Sequence, residues 1–141
     1  MRNSKQFPFL KKVNNLGQEN FVPYVPITLS YRDISVDSMG LLDTGAMINV
    51  LPYNLGLRLG AMWENQTVSI PLAGNLQPIE ARGLVVSVMI DDFPPVRLAF
   101  AWAESNDVPL ILGQVNFFRE FNVCFYGSQL IFEVSPILGK S

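Results

Sequence analysis

Short apolar runs interrupted by turn-forming residues cover most of the sequence and constrain its fold more than any other feature. Residues with strong β propensity, such as Val, Ile, Phe and Tyr, fill runs that are bounded by Gly, Pro, Asn and Asp. The predicted strands are residues 25–31, 34–42, 48–51, 67–72, 79–89, 96–102, 110–112, 123–126 and 129–134. Two short stretches, 53–59 and 114–120, have the pattern of helices. The spacing predicts one all-β domain, a barrel or a sandwich, rather than alternating strands and helices.

The composition permits a single packed domain and excludes several kinds of function. Of the 141 residues, 49% are apolar and 16% are charged, which is enough for a sizeable core. The net charge of −2 argues against nucleic acid or an anionic membrane surface as a partner. The sequence has no histidine, so His-based triads and His-ligated metal sites are excluded within one chain. Hydrolytic chemistry would therefore rest on carboxylates, hydroxyls or a lysine.

The chain ends and the single cysteine bear on the location of the protein. No stretch reaches the roughly 18 apolar residues that a membrane span requires. The basic N-terminus lacks the apolar segment of a signal peptide, so we expect residues 1–20 to be a polar arm and residues 21–141 to be the domain. Cys124 has no partner for an internal disulfide, which favours a reducing compartment. We therefore expect a cytoplasmic protein.

Asp43 lies between an apolar strand and a turn of small residues, in the segment 41–46, LLDTGA. A carboxylate at the end of a buried strand is costly unless hydrogen-bond donors or a partner stabilise it. Gly45 allows the backbone to approach another group closely, and Thr44 supplies a hydroxyl. In the alternative interpretation, Asp43 only caps the backbone of its own turn. The triplet by itself does not decide between the two.

A second segment, which ends seventy positions downstream of Asp43, favours a functional role for Asp43 over the capping interpretation. Residues 109–113, PLILG, form an apolar strand that ends at a glycine, and a short amphipathic helix follows. The hairpin predicted over residues 122–134 has Gly127 and Ser128 at its turn. Phe-rich strands flank that turn, so this hairpin has more apolar surface than one small barrel needs.

Together the two segments resemble the retropepsin-like aspartic proteases, which are single-lobe relatives of pepsin. The resemblance covers residues 24–134, and its C-terminal part is closer to the cellular and bacterial members than to the compact viral ones. It implies an all-β fold, the single-lobe acid-protease β-barrel with one or two short helices, and a homodimer. Viral members usually carry an acidic residue and an arginine where this chain has Met47 and Gln114, so both halves of that ion pair are absent.

The resemblance also implies roles for individual residues. Asp43 would be the catalytic aspartate, and Thr44 would form hydrogen bonds between subunits beneath the active site. Gly45 and Ala46 would line the cleft with backbone groups, and Gly113 would allow close packing behind the aspartate. The residues implied to contact the substrate are Leu41, Met47, Pro109 and Ile111 and, in a flap hairpin over residues 70–76, Leu72, Ala73 and Gly74.

Peptide hydrolysis by carboxylates needs two groups, because one takes a proton from water while the other polarises the carbonyl. The sequence has one DTG and no second DTG or DSG, so a C2 dimer that joins two copies of Asp43 supplies the pair. The leading hypothesis is an aspartic endopeptidase that acts as a homodimer on a peptide or protein substrate, without a metal or organic cofactor. Two alternatives stay open. One is a dimeric β module that binds an extended peptide without cleaving it, and the other is a β-barrel carrier of an apolar ligand.

Overall fold

The computed structural model describes residues 3–72 and 78–137, which form a β-barrel, a three-stranded sheet and a two-stranded hairpin. The strands in these residues are β1 (Lys5–Pro8), β2 (Leu10–Val13), β3 (Glu19–Val22), β4 (Tyr24–Tyr31), β5 (Ile34–Leu42), β6 (Asn49–Leu51), β7 (Ala81–Met89), β8 (Val96–Ala103), β9 (Ile111–Leu112), β10 (Phe121–Tyr126) and β11 (Ile131–Pro136). The helices there are α1 (Tyr53–Arg58) and α2 (Phe117–Glu120), with a 3₁₀ turn at Trp63–Asn65. The predicted all-β class with two short helices is confirmed. In this described part of the chain, no helix has the length and apolarity to cross a bilayer.

The barrel closes in the order β4–β5–β9–β6–β8–β7, so its strands have no free edge. β4 and β5 form a hairpin, and β7 pairs with both β8 and β4. The short strand β9 lies between β5 and β6, parallel to the first and antiparallel to the second. This insertion brings the second half of the chain beside Asp43, the residue that directly follows β5.

Alternating apolar side chains fill the barrel and continue beneath the three-stranded sheet. Leu84 on β7 and Phe100 on β8 are cross-strand partners, and both are buried. Phe117 of α2 stacks on Phe121 of β10, with ring centroids 5.0 Å apart. The largest fully buried side chains are Trp102, Phe100, Phe117, Phe121 and Phe132. The shared aromatic core explains why α2 and the C-terminal hairpin pack as one unit with the barrel.

The N-terminal residues add strands that the sequence pattern does not predict. β1 pairs with β11 and places Phe7 opposite Phe132, with ring centroids 5.5 Å apart. Lys5 Nζ lies 3.2 Å from Asp91 Oδ2, which connects β1 to the turn after β7. β2 and β3 form a separate hairpin in which residues 11–21 are exposed. The described part of this region is therefore not a plain arm, and the division of the chain at residue 21 stays a prediction.

One predicted strand, residues 67–72, is not continuous. The segment pairs only through isolated bridges at Ser69 and Leu72. Pro71 lies between the two bridging residues and has no N–H to donate to a ladder. The missing donor explains why the pairing is interrupted.

Gly56→Ala tests the packing around Trp102. A Cβ at residue 56 would collide with the Trp102 indole, which is fully buried and donates from Nε1 to the carbonyl oxygen of Tyr53 over 3.1 Å. The gain in helix propensity, about 0.5–1 kcal/mol, is smaller than the cost of overpacking, about 1–3 kcal/mol. We expect the free energy of unfolding in urea to fall by about 1–2 kcal/mol. Gly127→Ala is the control, because a Cβ there meets nothing within 4 Å. A Gly56→Ala protein as stable as this control would show that the indole has room to move.

Candidate active site

Asp43 is fixed by its own loop, residues 43–48, called here the Asp43 loop. The N–H of Gly45 donates to Asp43 Oδ1 over 2.9 Å, and the N–H of Ala46 donates to the Asp43 carbonyl oxygen over 3.1 Å. The N–H of Asp43 donates to the carbonyl oxygen of Leu112 in β9 over 3.0 Å. The first of these bonds is that of an Asx turn, so the loop alone fits both the catalytic and the capping interpretation.

The Asp43 carboxylate is half-buried, and one of its oxygens is available. Within the described residues, Oδ1 accepts a hydrogen bond and no donor reaches Oδ2. Thr44 and Gly45 beside it are exposed, and 70% of the Met47 surface is exposed. A carboxylate oxygen in this position can accept a proton or a hydrogen bond from a bound molecule.

Gln114 connects the Asp43 loop to the segment that follows β9. Its N–H donates to the carbonyl oxygen of Ala46 over 2.9 Å, and its Nε2 donates to the carbonyl oxygen of Thr44 over 2.7 Å. Met47, the other position of the absent ion pair, has an exposed side chain. A neutral amide therefore joins the two segments where the resemblance would place a charged pair.

Val115 continues this contact and explains the short helix α2. Its N–H donates to the carbonyl oxygen of Met47 over 2.8 Å, and its carbonyl oxygen accepts from the N–H of Asn49 over 3.1 Å. Because the backbone at this point is bonded to the Asp43 loop, it is not free to form a helical turn. The helix predicted over residues 114–120 therefore begins only at Phe117.

Gly113 packs against the Asp43 loop with no space for a side chain. A Cβ at this position would lie 2.7 Å from the carbonyl oxygens of both Ala46 and Ile48. Such a contact with backbone atoms could be relieved only by moving one chain segment away from the other. The structure therefore has, behind Asp43, the close approach that the resemblance implies for Gly113.

Asn49 is fully buried, and the sequence pattern does not reveal its importance. Its Oδ1 accepts from the N–H of Gly113 over 2.7 Å, and its Nδ2 donates to the carbonyl oxygen of Ala99 over 3.1 Å. Asn116 Oδ1 lies 3.4 Å from the same Nδ2 and accepts from the N–H of Ala99 over 3.1 Å. The one available signal is a polar residue within the apolar run 48–51. The amide connects β6, β8 and the segment after β9.

The structure brings several of the predicted substrate-contacting residues together. Leu41 and Ile111 pair across β5 and β9, next to the Asp43 loop. Leu72 and Ile111 pack against one cluster of small apolar residues on β6, β7 and β8, whose members are Val50, Ala81, Ala101 and Ala103. Pro109 is exposed, two positions before Ile111. These side chains therefore lie on one side of the barrel, outside its main core.

The predicted flap over residues 70–76 is described at its base. Leu72 and Ile79 exchange two backbone hydrogen bonds of 3.1 Å and 2.9 Å. Ala73 and Gly74 lie outside the described residues. The base of the flap is therefore an antiparallel pairing, as a hairpin requires.

Other aspartates have structural partners. Asp37 accepts from the Thr28 hydroxyl over 2.8 Å. The hydrogen bond from Lys5 lowers the pKa of Asp91 below its ordinary value, and the same bond raises the pKa of Lys5. Within residues 3–72 and 78–137, no group of three or more His, Cys, Asp or Glu residues could hold a metal ion. Of Asp37, Asp43 and Asp91, Asp43 is the one whose loop is held through backbone hydrogen bonds from a distant segment, whereas Asp91 is bound by the side chain of Lys5.

Comparisons with known proteins identify the fold. No family model and no curated protein matches the sequence. Among solved structures, the chain is similar to a retropepsin-like aspartic protease from Rickettsia conorii, with a TM-score of 0.61 and 14% identity over 92% of this chain and 98% of that one. It is also similar to the retroviral protease-like domain of Ddi1 from Leishmania major, with a TM-score of 0.56 and 21% identity over 72% of this chain and 79% of that one. The chain has a retropepsin-like fold.

EIAV protease complexed with the inhibitor HBY-793 matches with a TM-score of 0.49 and 21% identity, over 75% of this chain and 90% of that one. The present chain has one Asp-Thr-Gly loop, in which Thr44 and Gly45 are exposed. The segment after β9 supports the loop from the other side.

Asn49→Leu tests the buried amide behind the Asp43 loop. Leucine deprives the Gly113 N–H of its acceptor and the Ala99 carbonyl of a donor, and each unsatisfied buried group costs about 1–3 kcal/mol. We expect the free energy of unfolding to fall by about 2–4 kcal/mol, with faster hydrogen exchange at the Gly113 amide. Asn65→Leu, at an exposed position, is the control. Unchanged stability and unchanged exchange at Gly113 would contradict the role of this amide.

Proposed function

We propose that this protein is an aspartic endopeptidase that acts as a homodimer and hydrolyses peptide bonds in peptides or proteins. The observation that carries the proposal is the supported Asp43 loop, in which a half-buried carboxylate keeps Oδ2 available. An aspartate that only capped its own turn would not need the close contact at Gly113 or the buried amide of Asn49. The retropepsin-like fold supports the same proposal.

Hydrolysis at this site needs a second carboxylate, which a two-fold axis supplies. In the proposed dimer, Asp43 of each protomer faces the other across the axis. Two carboxylates at short distance do not both stay ionised, so the pair shares one proton. The ionised carboxylate takes a proton from the bound water while the water oxygen attacks the carbonyl carbon. The protonated carboxyl donates its proton to the carbonyl oxygen, which gives a gem-diol. The C–N bond then breaks as the carboxyl that took the proton from water gives it to the amide nitrogen, and the other carboxylate takes a proton back from a diol hydroxyl. No metal or organic cofactor takes part.

In this proposal the residues around Asp43 bind the substrate or the second protomer. Thr44 is exposed in the single chain and would form hydrogen bonds with the partner subunit. Gly45 and Ala46 would present backbone groups to the substrate. The proposed substrate contacts are Leu41, Met47, Leu72, Ala73, Gly74, Pro109 and Ile111.

The proposed dimer has its seam in the C-terminal hairpin, residues 122–134. In the described sheet, β11 lies between β1 and β10, so within this hairpin the free edge belongs to β10. Cys124 lies in the middle of β10 and is exposed, and Phe125 and Tyr126 are about four-tenths exposed. Two copies of β10 that pair antiparallel about a two-fold axis would satisfy both free edges.

The proposed partners are therefore a second copy of the chain and a peptide or protein substrate. The net charge of −2 argues against nucleic acid as a further partner. We place the protein in the cytoplasm because Cys124 is a free, exposed thiol, which a reducing compartment preserves.

Asp43→Asn tests the catalytic assignment. Asparagine keeps an oxygen that can accept from the Gly45 N–H, so we expect folding and dimerisation to survive. It cannot take a proton from water, so cleavage should fall by about 10²–10⁴-fold, the usual contribution of general acid–base catalysis. Cleavage of a mixed peptide library, read by mass spectrometry, is the measurement.

Asp37→Asn is the matched control, because Asp37 is an exposed carboxylate whose partner is Thr28. This control should retain activity. Near wild-type cleavage by Asp43→Asn would contradict the assignment. A wild-type protein that binds these peptides and leaves them intact would instead be a peptide-binding module.

Cys124→Lys tests the dimer seam. In the proposed pairing, position 124 lies near the two-fold axis, so the substitution places two ammonium groups close together. We expect the dimer dissociation constant to rise at least tenfold, about 1.4 kcal/mol, in analytical ultracentrifugation, and specific activity to fall on dilution. Cys124→Ser is the uncharged control. If Cys124→Lys dimerises and cleaves peptides like this control, the seam lies elsewhere.

A further inference from the structure

The Gln114 side chain and the Asp43 carboxylate bond to opposite ends of the same peptide group, the one that joins Thr44 to Gly45. The carbonyl oxygen of this group belongs to Thr44 and accepts from Nε2 of Gln114 over 2.7 Å. Its N–H belongs to Gly45 and donates to Oδ1 of Asp43 over 2.9 Å. A chain of two hydrogen bonds therefore runs from the Gln114 amide, through one peptide group, to the carboxylate.

The rigidity of this peptide group couples the two bonds. A trans peptide group is planar, and its C=O and N–H point to opposite sides. A donor that fixes the direction of the Thr44 carbonyl oxygen therefore also fixes the direction of the Gly45 N–H. Glycine has no Cβ to restrict rotation of its backbone, so the group needs such a constraint. If the group rotated, its N–H would no longer point at Oδ1.

The two bonds also strengthen each other. A carbonyl that accepts a hydrogen bond polarises its peptide group, which makes the N–H at the other end a better donor by about 10–30%. A hydrogen bond donated to a carboxylate favours its ionised form. Gln114 therefore stabilises the ionised form of Asp43, a side chain that it does not contact.

The backbone of the segment after β9 holds the Gln114 amide within reach of Thr44. The N–H of Gln114 donates to the carbonyl oxygen of Ala46 over 2.9 Å, and the next N–H, that of Val115, donates to the carbonyl oxygen of Met47 over 2.8 Å. Because the backbone is fixed on both sides of the Gln114 side chain, only rotation about the side-chain bonds remains to be restricted. The bond to Thr44 therefore costs less conformational entropy than it would on a mobile segment.

The other groups that bond to the Asp43 loop carry no charge. They belong to Leu112, Gln114 and Val115, and no ion pair among residues 3–72 and 78–137 includes Asp43. In this described part of the chain, the hydrogen-bond chain from Gln114 is thus the support by which a distant side chain reaches the carboxylate.

We propose that Gln114 is a positioning residue for the reaction, which holds the Thr44–Gly45 peptide group so that its N–H bonds to Oδ1 of Asp43 and leaves Oδ2 for the bound water. For its effect on cleavage, the inference rests on the proposed endopeptidase function. In the proposed dimer, Gln114 of each protomer acts on Asp43 of the same protomer. A neutral amide orients the peptide group without adding a charge beside the proton that the two carboxyls share.

Gln114→Met tests this role, because methionine has a similar length and no donor. The Gly45 N–H donates to the carboxylate, so the NMR chemical shift of this amide proton, followed against pH, reports the titration of Asp43. In Gln114→Met we expect the midpoint to rise by about 0.1–0.7 pH unit, since the ionised form loses 10–30% of a charge-assisted hydrogen bond. In the dimer, the shift is read from the steps of the coupled pair.

The same variant should lower kcat for peptide cleavage by about tenfold and leave KM near its wild-type value, because Gln114 orients the carboxylate and does not touch the substrate. Gln66→Met is the matched control. Nε2 of Gln66 also donates to a backbone carbonyl oxygen, that of Met62, over 3.1 Å, at a place outside the Asp43 loop. This control should leave the Gly45 titration, kcat and KM unchanged.

The NMR titration separates this inference from the proposed function, because it needs no cleavage. A raised Gly45 midpoint in Gln114→Met supports the hydrogen-bond chain even if the wild-type protein cleaves nothing, a result that would contradict the endopeptidase. An unchanged or lowered midpoint would overturn the inference, even in a less stable variant, because Gln114 would then only join two segments. In a wild-type protein that cleaves peptides, a kcat of Gln114→Met equal to that of Gln66→Met would overturn it as well.

Discussion

The backbone contact between the Asp43 loop and the segment after β9 is the interaction on which the rest of the site depends. Gly113 packs against two carbonyl oxygens of the loop, and its N–H is held by the buried amide of Asn49. Gln114 adds two more bonds to the loop. Residues about seventy positions downstream in the sequence therefore hold the Asp43 carboxylate in position. Backbone geometry of this kind tolerates little movement, which suits the proposed role of Asp43 as a proton acceptor.

Local patterns predicted much of the fold because each one acts within a few residues. The alternation of apolar residues predicts the barrel strands, and Gly127 with Ser128 predicts the turn between β10 and β11. The Asp-Thr-Gly triplet and Gly113 predicted the loop and the close contact behind it. The sequence pattern does not predict the strands before residue 23. β1 is a strand because it pairs with β11, and the pattern of its own four residues does not indicate that partner.

Asn49 could not be predicted because its role is defined by partners that are distant in sequence. The three hydrogen-bond partners of its side chain lie 50, 64 and 67 positions away, one on β8 and two in the segment after β9. A polar residue in an apolar run has the same local sequence pattern whether its side chain faces water or is buried between several strands. The length of α2 has a similar cause, since the backbone at Val115 is bonded to the Asp43 loop and is not free to become helical. Tertiary contacts thus overrode local preference at the points where the site is built.

The same contact joins the two strands that carry some of the proposed substrate contacts. Leu41 on β5 and Ile111 on β9 pair just before the Asp43 loop and Gly113. On the proposed function, a substrate side chain that packs against these residues is therefore anchored to the strands that hold the carboxylate. Binding free energy from that side chain can then fix the peptide bond relative to the attacking water, rather than only increase occupancy. A substrate contact on a separate, independently mobile element would raise affinity without this benefit.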